Sequence, residues 1–335
     1  VDVESGNIVI KKSSDDSTVE TIDVTGSKVT GTGTTEITIN PSSTLASSTG
    51  YYLTIATTAF DDSSGNSYAG ITDATTLNFT TADVNAPTLS SSTPADGATG
   101  VSATANIVLT FNEAVDVESG NIILYKSSDN STVETIDVTG SKVTGTGTTE
   151  ITINPATTLD SSTGYYLKIA ATAFDDSSDN SYAGITDATT LNFTSADVNA
   201  PTLSSSTPTD GATGVAVDAN IVLTFSEAVD VESGNIVIKK SSDDSTVETI
   251  AVTDSKITGT GTNQITINPA TTLDSSTGYY LTIATTAFDD SSGNSYAGIT
   301  DATTLNLTLA AVNAPTLSSS TPTDGATGIA VDANI

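Results

Sequence analysis

The sequence that decides the fold lies at residues 159–169 and reads Leu-Asp-Ser-Ser-Thr-Gly-Tyr-Tyr-Leu-Lys-Ile. A polar turn is followed by Tyr165, Leu167 and Ile169, which occupy every second position. Alternation with a period of two is typical of a β-strand that buries one face. This segment therefore predicts a turn that leads into a half-buried strand.

Similar segments occur on both sides of it, and clusters of Asp, Asn, Ser and Gly separate them. They are residues 107–111, 122–124, 133–138, 151–153 and 191–193. No segment has the spacing of an amphipathic helix. About seven short strands in one unit predict an all-β fold, an antiparallel β-sandwich.

The sandwich is expected to recur along the chain. The sequence Val-Asp-Val-Glu-Ser-Gly-Asn begins at Val1, Val115 and Val229, a period of 114 residues. Residues 1–114 and 115–228 differ at 16 positions. Because a unit of this length can bury its own core, the repeat predicts tandem sandwich domains in a linear array.

A proline-containing segment indicates the domain boundaries. Asp83-Val84-Asn85-Ala86-Pro87 recurs at residues 197–201 and, with Ala311 in place of the aspartate, at residues 311–315. Proline restricts its own backbone and that of the preceding residue, which suits a short linker before a strand. We expect a truncated repeat at 1–84 without its first two strands, complete repeats at 85–198 and 199–312, and the start of a further repeat at 313–335.

Two explanations of the incomplete ends remain open. We expect the residues to be a window cut from a longer periodic chain. Alternatively, the tail of one molecule completes the head of another by strand donation and builds a filament. Strand donation has a difficulty, because the tail ends before the core strand that the head lacks.

Composition excludes several classes of function. The 335 residues contain 40 Asp and Glu and 9 Lys, with no Arg, His or Cys, and the net charge is −31. Without His or Cys there is no Ser-His-Asp or Cys-His system and no zinc site of the usual kind.

A strongly acidic chain is not expected to bind nucleic acid, and no apolar run is long enough to insert in a membrane. Adjacent carboxylates in a turn, such as Asp61 and Asp62, make a poor acid–base pair, so we expect no enzyme.

The segment at residues 159–169 resembles the tyrosine corner of fibronectin-III and related Ig-like domains. The resemblance rests on Leu159 and, six residues later, Tyr165; Tyr51 and Tyr279 are the equivalents. It implies that the tyrosine ring enters the core and that its hydroxyl bonds nearby backbone. The alternative is a core-edge tyrosine with no special hydrogen bond.

The whole unit resembles bacterial Ig-like domains of the Big type, which occur in tandem in large surface proteins and adhesins. The matching segments are residues 200–203, 207–215, 221–229 and 288–294. The linker is also similar to the interdomain calcium motif of cadherins, although it is shorter. The resemblance implies an Ig-like sandwich in an extracellular, cell-surface protein.

In such a sandwich two acidic loops, at residues 112–118 and 174–180, share the pole that receives the linker. Carboxylates and amides that converge there without a lysine would repel one another unless a cation lay between them, and flexible oxygen ligands suit Ca²⁺ better than Mg²⁺. The alternative is a solvated acidic cluster without an ion. Ala311 predicts weaker binding at the last junction. The expected ligands are Asp83, Asn85, Glu113, Asp116, Glu118, Asp175 and Asp176 at the first junction and Asp197, Asn199, Glu227, Asp230, Glu232, Asp289 and Asp290 at the second.

Two functions compete at this point. The first is a stiff acidic spacer of an extracellular adhesin or filament, with neighbouring repeats and other copies as its partners. The second is a module that binds glycan or protein through its loops. Tyr68, Tyr182 and Tyr296 are the repeated loop aromatics, and we expect them to cap the core rather than to contact a ligand.

Overall fold

The computed structural model describes residues 1–312 and 316–334. Their regular secondary structure is entirely β, which confirms the predicted fold class. None of the described residues forms a helix that could cross a membrane. The chain divides into two compact units, Val1–Ser195 and Ala196–Ile335, and each is described by itself.

The first unit begins with an incomplete sandwich. Strands β2, β3, β6 and β8 form a sheet in the order β3-β2-β6-β8, and the pairs β1-β7 and β4-β5 lie outside it. The strands are β1 (Asp2–Val3), β2 (Asn7–Lys12), β3 (Thr18–Asp23), β4 (Val29–Thr30), β5 (Thr38–Ile39), β6 (Gly50–Ile55), β7 (Phe60–Asp61) and β8 (Asn78–Thr80).

A complete sandwich follows in the same unit. Its strands are β9 (Leu89–Thr93), β10 (Ala98–Val101), β11 (Ile107–Val117), β12 (Asn121–Lys126), β13 (Thr132–Asp137), β14 (Val143–Thr144), β15 (Thr148–Ile153), β16 (Gly164–Ile169), β17 (Phe174–Asp175) and β18 (Asn192–Ser195). One sheet has the order β10-β18-β16-β12-β13, with β10 and β18 parallel. In the other, β11 pairs with β9, β15 and β17, and β14 pairs with β15. The apolar residues of the two inner faces form one core.

The second unit repeats this architecture. Its strands are β19 (Leu203–Thr207), β20 (Ala212–Val215), β21 (Ile221–Val231), β22 (Asn235–Lys240), β23 (Thr246–Ala251), β24 (Ile257–Thr258), β25 (Thr262–Ile267), β26 (Gly278–Ile283), β27 (Phe288–Asp289) and β28 (Asn306–Leu309). Two sheets enclose the core. One has the order β20-β28-β26-β22-β23, and the other has the order β19-β21-β25-β24, with β27 also paired with β21.

Two segments expected to be loops contain strands. Residues 112–117 belong to β11, and Phe174 and Asp175 form β17, which pairs with Asp116 and Val117. The register of β11 against β15 shifts between Thr110 and Val115. A bulge of this kind bends a strand, so β11 continues past its first partners and reaches β17. With short strands such as β14 and β17 included, each complete sandwich has ten described strands, whereas about seven were expected.

The tyrosine corner is present in each core. The Asp160 N–H donates to the Tyr165 hydroxyl at 2.8 Å, and Ala46 and Asp274 make the same bond to Tyr51 and Tyr279. Tyr165 and Tyr279 are each 1 % exposed, and Phe111, Phe193 and Phe225 are also buried. The alternative without a hydrogen bond is therefore wrong.

The first sandwich has an open side. Residues 1–84 form no counterpart of β9, of β10 or of residues 107–114 of β11, and Leu77 and Phe79 are about 40 % exposed, whereas Leu191 and Phe193 are buried. In the complete sandwich, β9, β10 and this part of β11 together close this side of the core.

The segment at 313–335, expected to begin a further repeat, has no strand among its described residues. Residues 313–315 and 335 lie outside the described residues, and residues 316–334 contain no strand. In the complete sandwiches the matching segment pairs with a strand such as β21, which has no counterpart among residues 316–334. Without this partner the backbone has no ladder to join.

Candidate metal centre

The linker aspartate is held by hydrogen bonds on the first sandwich. The Ser47 hydroxyl and the Asn85 N–H donate to Asp83 Oδ1 at 2.9 and 3.0 Å. The Val84 N–H donates to the Ser47 hydroxyl at 2.8 Å. Hydrogen bonds to the Asp83 carboxylate lower its pKa below the ordinary value. The largest effect comes from the Asn85 N–H, followed by the side chains of Ser47 and Ser48. Asp83 is therefore ionised and fixed in orientation.

The loop after β17 presents a second carboxylate, Asp176, which is only 5 % exposed. Its Oδ1 accepts the N–H groups of Ser178 and Asn180, at 2.8 and 2.9 Å. Its Oδ2 accepts the Asn180 side-chain amide at 2.8 Å. Burial favours a raised pKa for Asp176, but these donors outweigh it and the pKa lies below its ordinary value. The loop thus keeps a buried carboxylate charged.

The third carboxylate comes from the bulged part of β11. Glu113, Asp83 and Asp176 each place one oxygen so that the three lie within 4.8 Å of one another. We call these residues the first triad. Asp197, Glu227 and Asp290 form the second triad, 114 residues further on. In the second triad, burial and the charges of Asp290 and Asp197 raise the pKa of Glu227.

Clustered carboxylates of this kind suit a hard divalent cation. Ca²⁺ binds oxygen ligands in flexible geometry, and its charge would relieve the mutual repulsion of the three carboxylates. The three side chains of each triad are therefore ones that could hold a divalent cation.

The other expected ligands lie outside the triads. Asp116 and Asp175 face each other across β11 and β17, and so do Asp230 and Asp289 in the second unit. The Thr146 hydroxyl donates to Asp116 Oδ1 at 3.2 Å. Asp175 Oδ1 is buried and has no hydrogen-bond partner among the described residues. This pair of aspartates is a separate feature of the same pole.

The remaining four are placed by their backbone. The N–H groups of Glu118 and Glu232 donate to the carbonyls of Ala173 and Ala287. Those of Asn85 and Asn199 donate to Asp83 and Asp197. None of the four belongs to a triad.

Sequence reasoning missed Asn180 and its counterpart Asn294. Each stands four residues after the loop aspartate and fixes both of its oxygens. The spacing Asp-Ser-Ser-x-Asn was the available signal, because Asp and Asn in turns bond the backbone nearby.

The loop tyrosines of the complete sandwiches belong to the core. Tyr182 and Tyr296 are each 6 % exposed and meet Phe111 and Phe225 edge-on, at 5.1 Å between ring centroids. Tyr68, on the open side of the first sandwich, is 43 % exposed. The capping role expected from the sequence is confirmed for Tyr182 and Tyr296.

Successive Ig-like sandwiches, with an acidic linker between the first two, define a tandem Ig-like repeat protein. The model of the bacterial Ig-like domain family matches residues 2–81, 83–195 and 197–307. The chain belongs to this family, as the sequence resemblance indicated.

Two solved structures show distant similarity. The "Biofilm associated protein - BSP domain" is 14 % identical over 65 % of this chain and 29 % of that chain, with a TM-score of 0.18. The S-layer protein rSbsC is 11 % identical over 94 % of this chain and 54 % of that chain, also with a TM-score of 0.18. The chain spans less than two thirds of either protein, and similarity at this level carries no information on function. A search of curated proteins found no match.

Proposed function

We propose that the chain is a non-enzymatic structural spacer of a bacterial cell-surface protein, an adhesin or filament, and that Ca²⁺ stiffens its repeat junctions. Membership of the bacterial Ig-like family and the tandem arrangement support the spacer role. The absence of His and Cys from the sequence supports a role without nucleophilic catalysis. The charge of −31 keeps neighbouring copies apart in solution.

The first triad is the observation that carries the calcium part of the proposal. Asp83 comes from the linker, whereas Glu113 and Asp176 come from the sandwich that follows it. A cation bound to all three would fasten the linker to that sandwich. Ca²⁺ takes roughly six to eight oxygen ligands, so water or backbone oxygens would complete the shell.

The alternative, a glycan- or protein-binding module, gains no support from the loops. Tyr182 and Tyr296 are used in the core and offer no aromatic platform to a sugar. We therefore retain the spacer as the proposed function.

Thermal melting tests the proposal. A ligand that binds only the folded state raises its stability by mass action, so millimolar Ca²⁺ should raise the melting temperature above that in EGTA. Glu113→Gln and Glu227→Gln should each reduce this rise, and the double variant should abolish it. A melting curve that is the same in Ca²⁺ and EGTA would refute the calcium proposal.

The matched control is Glu150→Gln. Glu150 is an exposed residue of β15, and the equivalent position of the second unit already carries Gln264. This variant removes the same charge from the same sandwich but leaves the triad intact. Its calcium response should equal that of the unmodified chain.

A further inference from the structure

The side-chain amide of Asn180 makes two contacts. Its Nδ2 donates to Asp176 Oδ2 at 2.8 Å and to the main-chain carbonyl of Asp83 at 3.3 Å. The first contact fixes the amide on the loop after β17, and the second reaches the linker. Asn180 therefore joins the linker to the sandwich that follows it.

The second unit contains the same arrangement. Asn294 Nδ2 donates to Asp290 Oδ2 at 2.8 Å and to the Asp197 carbonyl at 3.2 Å. Recurrence of both contacts after 114 residues indicates that they belong to the repeat rather than to one loop.

The first sandwich supplies a natural comparison. Asn66 donates to Asp62 Oδ1 through its N–H and to Asp62 Oδ2 through its side chain, both at 2.8 Å. Its amide makes no linker contact among the described residues. Asn66 thus has the loop function of Asn180 without the contact to a linker.

We propose that Asn180 and Asn294 are amide latches, which hold each linker on the following sandwich without a bound cation. The donor is neutral and the acceptor is a main-chain carbonyl, so the bond to the linker needs no bound cation. The amide is already oriented by a buried carboxylate, which reduces the entropy lost when it binds the linker.

The linker is held on its other side as well. Ser47 of the first sandwich donates to the Asp83 carboxylate at 2.9 Å, while Asn180 binds the carbonyl of the same residue. Asp83 is therefore attached to both sandwiches of the first unit through uncharged donors. The latch goes beyond the calcium proposal, because it keeps the junction ordered when calcium is removed.

Spin-label distance measurements on the full chain test the latch. The sequence has no cysteine, so Thr21→Cys and Thr135→Cys place one label on β3 and one on β13, at equivalent exposed positions. In EGTA we expect a single narrow distance distribution. Asn180→Ala should abolish the narrow peak, whereas Asn66→Ala, which removes the same loop bond, should retain it.

A second variant protects the test against a folding defect. In Asn180→Ser the hydroxyl can still donate to Asp176, but the side chain is too short to reach the Asp83 carbonyl as well. It should broaden the distribution as Asn180→Ala does. Two results would overturn the latch: spin-label distance distributions of equal width for the Asn180 and Asn66 variants, or a broad distance distribution for the unmodified chain in EGTA. Addition of Ca²⁺ to the same samples tests the calcium proposal separately.

Discussion

At the scale of single residues, buried polar groups fix the chain by bonding backbone. Tyr165 has its ring in the core and accepts a bond from the Asp160 N–H through its hydroxyl. Glu134 accepts the N–H groups of Ala156 and Thr157 and the Lys142 ammonium. The sequence predicted the first of these, because the tyrosine follows a recognisable turn. It did not predict the second, because Glu134 and Thr157 are 23 residues apart and meet only after the sheets have packed.

Removal of the Tyr165 hydroxyl should destabilise its sandwich. Tyr165→Phe leaves the Asp160 N–H without its partner, and we expect a loss of about 1 kcal/mol in the free energy of unfolding. Urea unfolding measures this loss. Tyr182→Phe is the control, because that ring is equally part of the core and its hydroxyl has no hydrogen bond among the described residues. Equal losses in the two variants would contradict the role of the hydroxyl.

The ion pair between Glu134 and Lys142 should make the free energy of unfolding depend on pH. Burial favours a raised pKa, but Lys142 and the two backbone N–H groups outweigh it and lower the pKa of Glu134 to about 2. A depressed folded-state pKa contributes stability above the ordinary pKa of 4.5, and this contribution disappears as the pH falls toward 2. Glu134→Gln should therefore be less stable at pH 7, and the difference should shrink at low pH. Urea unfolding that gives a constant difference between pH 7 and pH 2 would rule this out.

At the scale of elements, strand β11 determines which carboxylates meet. Its bulge lies between Thr110 and Val115, so Glu113 joins the triad while Asp116 faces Asp175 on β17. The sequence indicated the acidic pole, because both acidic segments follow apolar alternation. It could not separate the ligands into a triad and a pair, because the register shift depends on pairing with two other strands.

This separation predicts different effects for two neighbouring carboxylates. Glu113→Gln should remove the calcium-dependent stabilisation of the first junction, whereas Asp116→Asn should retain most of it, because Asp116 lies outside the triad. Melting of the two variants in Ca²⁺ and in EGTA provides the comparison. An equal loss in both would show that the pole binds its cation through a different set of ligands.

At the scale of the whole molecule, the 114-residue period places the same triad in both units. It also repeats the acidic charge, which accumulates to −31 over the chain. The repeat was evident in the sequence because few positions differ. The amide latch was not, because it needs the distance between a loop amide and a linker carbonyl, which are 97 residues apart.

Accumulated charge predicts a response to salt in the absence of calcium. Salt shortens the Debye length from roughly 30 Å at 0.01 M to roughly 10 Å at 0.1 M and so screens the repulsion between acidic groups. In EGTA the melting temperature should therefore rise as sodium chloride is increased over this range. An unchanged melting temperature would show that the charges are too far apart to affect stability.

Calcium titration calorimetry tests the central claim most directly. The unmodified chain should bind Ca²⁺ at both triads, Glu113→Gln or Glu227→Gln should remove about half of the bound calcium, and the double variant should bind none there. Glu150→Gln should bind as the unmodified chain does. Absence of binding by the unmodified chain, or undiminished binding by the double variant, would contradict the proposal that these triads are calcium clamps.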